Sequence, residues 1–477
     1  MTALTDFSAV ELSTKIESSE ISCVELMSAY LDRIEAINPA LNAIVALRPR
    51  EELLDEALKA DQSDRAGWLH GIPIAIKDLA ETRGIATTYG SPLFASNVPL
   101  KDSPMVKRIR DAGAIVIGKT NTPEFGLGSH TYNPVYGITR NPYDPALSAG
   151  GSSGGAAAAL AARLLPLADG SDMMGSLRNP AAFNNVYGFR PSVGRIPNDK
   201  AADSCQFPLA TSGPMGRTII DIAKLLDTQC AHEPGQPWSL QHANVFAYAL
   251  RPDEAPSLKG KRIGWIGDAG GHYPMEDHVL NVCQSALLVL ESLGCDVQAV
   301  DLSIDLHELF DAWCTLRSHT IASTFGGLFN DSSIRCQLKP EAQWEIERGL
   351  RLSGAQLHKA AAVRSNWFAR AATLFDDLDA LCLPSASVFP FDAEQHWLKS
   401  INGVQMTTYH EWMSVVVPAS LSGLPSMAMP AGFNDHGLPA GVQLMGRYGM
   451  DEDMLLMGHA YHLATDWPAT RPPELVL

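Results

Sequence analysis

Apolar residues recur along this chain in two patterns, one with the spacing of an α-helix and one as short unbroken runs. The helical spacing is clearest after Ser22, at Leu26, Tyr30, Ile34 and Ile37. Ser22 and Glu25 match a capping box, in which the two side chains satisfy free amides at the start of a helix. We therefore predict a helix that begins after Ser22 and ends near Asn38-Pro39.

The unbroken apolar runs predict buried strands. They lie at 71–76, 114–117, 164–168, 262–266, 296–300, 378–383 and 440–445. Helical patterns occupy 105–112, 276–293 and 454–464, and the region between about 303 and 412 is mainly helical. Strands that alternate with helices are typical of an α/β protein, so we predict a large, mostly parallel or mixed β-sheet covered by helices on both faces.

Composition narrows the class of protein. Of 477 residues, 46% are hydrophobic and 19% are charged, which is enough apolar material for a large core. The formal net charge of -17 argues against nucleic acid and anionic membranes as partners. The eight cysteines show no Cys-x-x-Cys spacing, the N-terminus has no signal-peptide pattern, and Ala156–Ala162 is too short to span a bilayer. We expect a cytoplasmic protein.

Two serine-bearing glycine loops and one lysine are the strongest chemical candidates. The loops are 150–155 (Gly-Gly-Ser-Ser-Gly-Gly) and 170–176 (Gly-Ser-Asp-Met-Met-Gly-Ser), and Lys77 follows the apolar run 71–76. A serine hydroxyl is a weak nucleophile that needs a base, and lysine can be that base only when burial keeps it neutral. Taken alone, each feature also fits a structural role: a solvated lysine, a flexible loop, or a helix N-cap.

The segment 150–180 resembles the signature of the amidase signature family. That signature is a Gly-Gly-Ser-Ser-Gly-Gly loop, an alanine-rich helix, and then Gly-Ser/Thr-Asp-x-Gly-Gly-Ser-x-Arg-x-Pro. Further stretches are similar to the family at 71–78, 118–125, 139–142, 188–195 and 213–218. The resemblance covers nearly the whole chain and is weakest at about 230–410.

The resemblance implies an amidase-signature fold and amide hydrolysis through an acyl-enzyme. We expect one domain over 1–477, with a signature core at about 60–225 and a variable, helical, substrate-side region at about 230–410. Ser176 would be the nucleophile, Ser152 the bridging serine after a cis Gly151–Ser152 peptide, and Lys77 the general base. The resemblance implies no cofactor and no metal.

The resemblance also assigns the residues around the nucleophile. The amides of Met173, Met174, Gly175 and Ser176 would form the oxyanion hole, and Gly126 would line the acyl pocket. Supporting roles fall to Ser171, which would contact the bridging serine, and to Asp172 and Arg178, which would pair. The family has glycine at the position of Met174, so we expect this methionine to alter the oxyanion geometry and the size of the acyl pocket.

Several alternatives remain open from the sequence. The substrate is a small amide, of aliphatic, aryl, hydrazide, lactam, or carbamate or urea type. The chain could instead be an amidotransferase-type subunit that supplies ammonia to a partner, or a catalytically silent binding protein on the same fold. The family suggests a homodimer. His459 and His462 lie on one helix face, which we assign to the helix surface rather than to a metal site.

Overall fold

The computed structural model describes residues 3–197, 203–241 and 246–475. The helices are α1 (Ala9–Glu17), α2 (Cys23–Leu41), α3 (Arg50–Asp61), α4 (Pro104–Asp111), α5 (Gly154–Ala161), α6 (Asn179–Phe183), α7 (Ile219–Gln229), α8 (Val279–Ser292), α9 (Leu306–Phe329), α10 (Ser332–Arg335), α11 (Pro340–Leu350), α12 (Gly354–Asp377), α13 (Val417–Ser422), α14 (Asp451–Thr465) and α15 (Trp467–Thr470). Short 3-10 turns lie at Leu4–Asp6, Pro92–Phe94, Glu124–Gly126, Ala247–Ala249 and Glu411–Val416.

Within the described residues, the strands form one large sheet and three small ones. They are β1 (Ile44–Val45), β2 (Pro73–Lys77), β3 (Ile115–Thr120), β4 (Tyr132–Asn133), β5 (Gly137–Ile138), β6 (Leu167–Asp172), β7 (Tyr187–Arg190), β8 (Thr211–Gly216), β9 (Arg262–Trp265), β10 (Asp296–Ala299), β11 (Ala380–Pro384), β12 (Ser400–Ile401), β13 (Val404–Gln405), β14 (Ser426–Phe433) and β15 (Pro439–Met445).

The large sheet has eight strands in the order β10-β9-β11-β15-β14-β7-β8-β6. The pairs β10–β9 and β9–β11 are parallel, and the remaining pairs are antiparallel. Strand β2 pairs in parallel with β3 in a separate three-stranded sheet. The predicted mixed sheet of an α/β protein is therefore confirmed.

Alternate residues of the central strands pack into hydrophobic cores on opposite faces of this sheet, because side chains in a strand point to the two faces in turn. On β14, Met427 and Met429 pack with α7, α8 and α14, whereas Ala428 joins the core that contains α5. On β11, Leu381 and Leu383 face a third core built with α9, α12 and α13. Helices cover both faces of the sheet, as predicted.

The end of helix α2 differs from the sequence prediction. The helix continues past Pro39 to Leu41, and Asn42 then adopts a left-handed conformation with φ of 53°. The side chain of Asn38 accepts the amides of Ala43 and Ile44 and so replaces the hydrogen bonds that the helix loses there. The helix thus runs two residues past Pro39 before the left-handed Asn42 ends it.

Two further sequence predictions need correction. Strand β3 continues through Lys119 to Thr120, three residues beyond the apolar run 114–117 from which we predicted it. His459 and His462 do not lie on a helix surface, because both side chains are buried. His459 Nε2 lies 2.7 Å from the carbonyl oxygen of Arg251, and His462 Nδ1 lies 3.2 Å from the hydroxyl of Tyr187.

The region between 303 and 412 is mainly helical, as predicted, and contains α9 to α12. All eight cysteines are free thiols. Among the described residues, none of the helices combines the length and the apolar character that crossing a bilayer would require.

Candidate active site

Three segments of the chain position the candidate residues close to one another. Lys77 is the last residue of β2, the loop 150–153 leads into α5, and the loop 173–176 follows β6 directly. Helix α5 can approach this place closely because its first turn is glycine: a Cβ on Gly155 would clash with the amide nitrogen of Asn121. The glycines of the first loop thus allow close backbone packing rather than flexibility.

The amine of Lys77 lies among three serines. Its Nζ is 2.8 Å from Ser152 Oγ, 2.8 Å from Ser153 Oγ and 3.1 Å from Ser171 Oγ. It also lies 3.3 Å from the carbonyl oxygen of Ser171. The structure thus brings the lysine and the predicted bridging serine into direct hydrogen-bond contact. Ser171 contacts the same amine.

Burial brings the pKa of the Lys77 amine close to neutral pH. The side chain is 1% exposed, and this desolvation lowers its pKa to about 7, although the carboxylates of Asp169 and Asp172 oppose the shift. Asp169 accepts the backbone amide of Lys77 at 2.9 Å, and burial raises the pKa of this carboxyl to about 6. A cavity of about 100 Å³, bordered by Lys77, Asp169 and Ser171, is large enough to hold water beside the amine.

The loop that carries Ser152 is held by its neighbours. The Gly151–Ser152 peptide is cis, as the family resemblance implied. Ser129 Oγ donates to the carbonyl oxygen of Gly151 at 2.8 Å, and the amide of Ser153 donates to the carbonyl oxygen of Ser176 at 3.3 Å. The two serine loops are therefore joined by a backbone hydrogen bond next to both candidate serines.

Asp172 organises the loop that carries Ser176. Its carboxylate pairs with the guanidinium of Arg178 through two contacts of 3.0 Å and with Arg190 at 3.1 Å. It also accepts the amides of Gly175 at 2.9 Å and of Leu177 at 3.1 Å. Burial alone would raise the pKa of Asp172, but the two arginines outweigh it and hold that pKa well below its usual range.

The candidate oxyanion donors divide into two groups. Gly175 has a φ of 76° and donates its amide to Asp172, so that amide is already engaged. Among the described residues, the amides of Met173, Met174 and Ser176 have no such partner. Met174 keeps a backbone conformation that is ordinary for an L-residue, and its side chain is 4% exposed and packs in the core that contains α9, α12 and α13.

Gly126 lies directly over the bridging serine. A Cβ built on Gly126 would lie 3.5 Å from Ser152 Oγ, and its φ of 71° favours glycine. The preceding residue, Phe125, also has a positive φ of 52°, which is uncommon for an aromatic residue. This turn therefore brings a side-chain-free backbone next to Ser152.

Sequence reasoning missed three residues of the site. Ser153 contacts Lys77 as closely as Ser152 does, and the sequence signal was simply the second serine of the same loop. Asp169 and Arg190 lie in recognised motifs, but nothing in those motifs shows that they contact Lys77 and Asp172. Such contacts join residues that are far apart in the chain, so they have no local pattern.

The chain is similar to known proteins over nearly its full length. A family model described as Amidase matches residues 25–455. An acylamidase from Rhodococcus erythropolis is 32% identical over 475 residues, which cover 98% of this chain and 97% of the relative. A glutamyl-tRNA(Gln) amidotransferase subunit from Thermus thermophilus is 35% identical over 480 residues, which cover 96% of this chain and 97% of the relative.

Solved structures agree with these sequence relationships. A bacterial aryl acylamidase of the amidase signature family superposes with a TM-score of 0.89 at 29% identity, over 98% of this chain and 99% of that one. A 6-aminohexanoate cyclic dimer hydrolase complexed with its substrate superposes with a TM-score of 0.85 at 26% identity, over 99% of both chains. By its sequence and by its fold, this chain belongs to the amidase signature family.

Proposed function

We propose that this protein hydrolyses the C–N bond of a small carboxylic amide through an acyl-enzyme on Ser176. The observation that carries the proposal is the contact between the buried, near-neutral amine of Lys77 and Ser152 Oγ at 2.8 Å. A solvated lysine would be protonated at neutral pH and could not accept a proton. A buried lysine among hydroxyl groups can act as a general base.

Acylation would proceed through two proton transfers. Lys77 takes the proton of Ser152, and Ser152 takes the proton of Ser176, whose Oγ attacks the carbonyl carbon of the amide. The negative charge that develops on the carbonyl oxygen needs nearby donors, and the unengaged amides of Met173, Met174 and Ser176 are the candidates. The proton on Lys77 then returns through Ser152 to the leaving nitrogen as the C–N bond breaks.

Deacylation would reuse the same groups. Water attacks the acyl carbon and loses its proton through Ser152 to Lys77. The bond between the acyl carbon and Ser176 Oγ then breaks, and the proton returns to Ser176. Every proton in this scheme is held by a side chain of the protein, so the proposal needs neither a metal nor a cofactor.

The segments next to the helices of the substrate-side region would supply the walls of the pocket. Tyr409 and the amine of Lys339 both lie about 4.0 Å from where a Cβ on Gly128 would be, just beyond Gly126. Val416 lies against Gly175, where a Cβ would be 2.9 Å from a Val416 methyl group. The acylamidase relative supports a substrate with an N-acyl group, and we propose such amides as the first class to assay.

A second candidate is an ammonia-supplying amidotransferase subunit, because several relatives with 30–35% identity carry that name. The same Ser-Ser-Lys arrangement would then release ammonia from an amide for a partner chain. A chain of this kind would need the partner for full activity. An assay of the isolated chain with glutamine and with N-acyl amides, combined with size-exclusion chromatography, separates the two functions.

The mechanism is tested by Ser176→Ala, with the exposed Ser285→Ala as the matched control. We expect Ser176→Ala to lower kcat/KM on an amide panel by about four orders of magnitude or more and to abolish labelling by a fluorophosphonate. Ser285→Ala should retain both properties. If the wild-type protein hydrolyses no amide and takes no label, the proposed hydrolysis by the isolated chain is contradicted.

A further inference from the structure

A buried arginine that the proposed mechanism does not use lies next to the nucleophile loop. Arg317, on α9, is 3% exposed. Its Nε donates to Glu345 at 2.7 Å, and one terminal nitrogen donates to the hydroxyl of Tyr409 at 2.8 Å. Glu345 and Tyr409 therefore fix the guanidinium on two sides and compensate much of the cost of burying its charge.

The third side of this guanidinium has a poor partner. Its other terminal nitrogen lies 3.0 Å from the thioether sulfur of Met173. A thioether is a weak acceptor, whereas a guanidinium forms its strongest hydrogen bonds with carboxylate and carbonyl oxygens. Met173 thus occupies a position that suits an oxygen ligand better than sulfur.

Met173 contacts Arg317 on one side and borders a cavity on the other. Its side chain is only partly buried and borders a cavity of about 420 Å³, together with Phe207, Leu209, Trp238 and Thr320. Thr320 lies three residues after Arg317, on the same face of α9. Met173 precedes Ser176 by three residues, so this cavity lies beside the nucleophile loop.

We propose that Arg317 is a specificity-determining residue that binds a hydrogen-bond-accepting oxygen of the substrate, a carboxylate or a carbonyl, once the Met173 side chain moves aside. This inference rests on the proposed function, because the ligand is the amide that Ser176 attacks. Methionine suits such a movable position because it is unbranched and adopts several rotamers at low cost. The substrate would then be an amide with a second polar group at a distance from the scissile bond.

The test compares matched amides that differ only at the far end of the chain. One series ends in a methyl group, a second in a methyl ester and a third in a carboxylate. Each series is made twice, once with this end group on the acyl part of the amide and once with it on the amine part. We expect wild-type kcat/KM to favour one of the two oxygen-bearing series by about 10- to 100-fold over the methyl series. The ester and carboxylate arms show which oxygen is recognised.

Arg317→Lys keeps the charge near Glu345 but removes the fork that reaches Met173. We expect it to abolish the preference while kcat/KM for the methyl series stays within about twofold of wild type. Met173→Ala, which removes the competing sulfur, should increase the preference, and an unchanged or lower preference would count against the inference. The exposed Arg335→Lys on α10 is the control and should leave the ratio unchanged.

Hydrolysis of all three series at equal rates by wild-type protein overturns the subsite and leaves the proposed function standing. An equal loss on every series in Arg317→Lys also overturns it, because Arg317 would then only hold the Met173 side chain in place. Failure to hydrolyse any amide overturns both proposals. Circular dichroism and unfolding curves of each variant identify a loss that comes from misfolding, and in that case Met173→Ala alone decides the inference.

Discussion

The carboxylate of Asp172 accepts the amide hydrogen of Gly175 at 2.9 Å, one residue before the candidate nucleophile. Together with the pairs to Arg178 and Arg190, this bond makes Asp172 the centre of the turn that presents Ser176. It also changes the expected oxyanion hole, because a donor engaged by a carboxylate is not free for a substrate oxygen. Met173, Met174 and Ser176, whose amides are not engaged by any described residue, are the better candidates for that role.

Asp172→Asn should destabilise the fold strongly. The change leaves two fully buried guanidinium groups without their carboxylate, which costs about 3–5 kcal/mol of unfolding free energy. The depressed pKa of Asp172 means that its contribution is present above the usual carboxyl pKa and is lost only as the pH falls into the strongly acidic range. Urea unfolding at neutral pH measures the loss.

The control for this prediction is Asp379→Asn. Asp379 pairs with Lys261 at 2.9 Å, but both side chains are about one-third exposed. Partly exposed pairs contribute about 0–1 kcal/mol, so the control should remain near wild-type stability. Equal losses of unfolding free energy in the two variants would contradict the expectation that burial makes the Asp172 pairs contribute more to stability than the Asp379 pair.

The activity should depend on the protonation of Lys77. In the proposed mechanism its neutral form is the base, and its pKa is about 7, so kcat/KM should fall roughly tenfold per pH unit below that value. Above it the amine stays neutral, and activity should level off until another group titrates. Initial rates on one amide between about pH 5 and 9 provide the profile. A flat profile down to the acid end would contradict the assignment of Lys77 as the base.

The sequence was sufficient for the parts of the site that lie within short segments. The apolar run before Lys77 indicated a strand end, and the glycine loops around Ser152 and Ser176 matched the family signature within one short segment. These inferences hold because strand ends and glycine turns depend on neighbouring residues. The alternation of strands and helices likewise identified the fold class before any contact was known.

The parts that could not be predicted join distant segments. Arg190 reaches Asp172 from the next strand of the chain, and Arg317 reaches Met173 from a helix more than a hundred residues away. Neither contact leaves a local pattern. The end of α2 lies at Leu41, two residues beyond Pro39, where the helix-breaking tendency of proline had placed it.

Asp169→Asn should move the acid limb of the activity profile to lower pH. The Asp169 carboxylate favours the protonated form of Lys77, so removing its charge lowers the pKa of the lysine further. Asparagine keeps the oxygen that accepts the Lys77 amide. The pH profile of kcat/KM measures the shift, and Asp435→Asn, in an exposed turn, should leave the profile unchanged. A limb that moves to higher pH would contradict this electrostatic coupling.

Met174→Ala should act on stability more than on substrate choice. Its side chain is 4% exposed and packs in the core with Trp313 and Val416, so truncation leaves a cavity and costs about 2–5 kcal/mol. Met173→Ala is the matched comparison, because Met173 is only partly buried and borders the cavity beside the nucleophile loop. We expect a smaller loss of stability there and a larger change in kcat/KM between short and long substrates. The reverse assignment, with selectivity changed in Met174→Ala and stability intact, would mean that Met174 reaches the substrate.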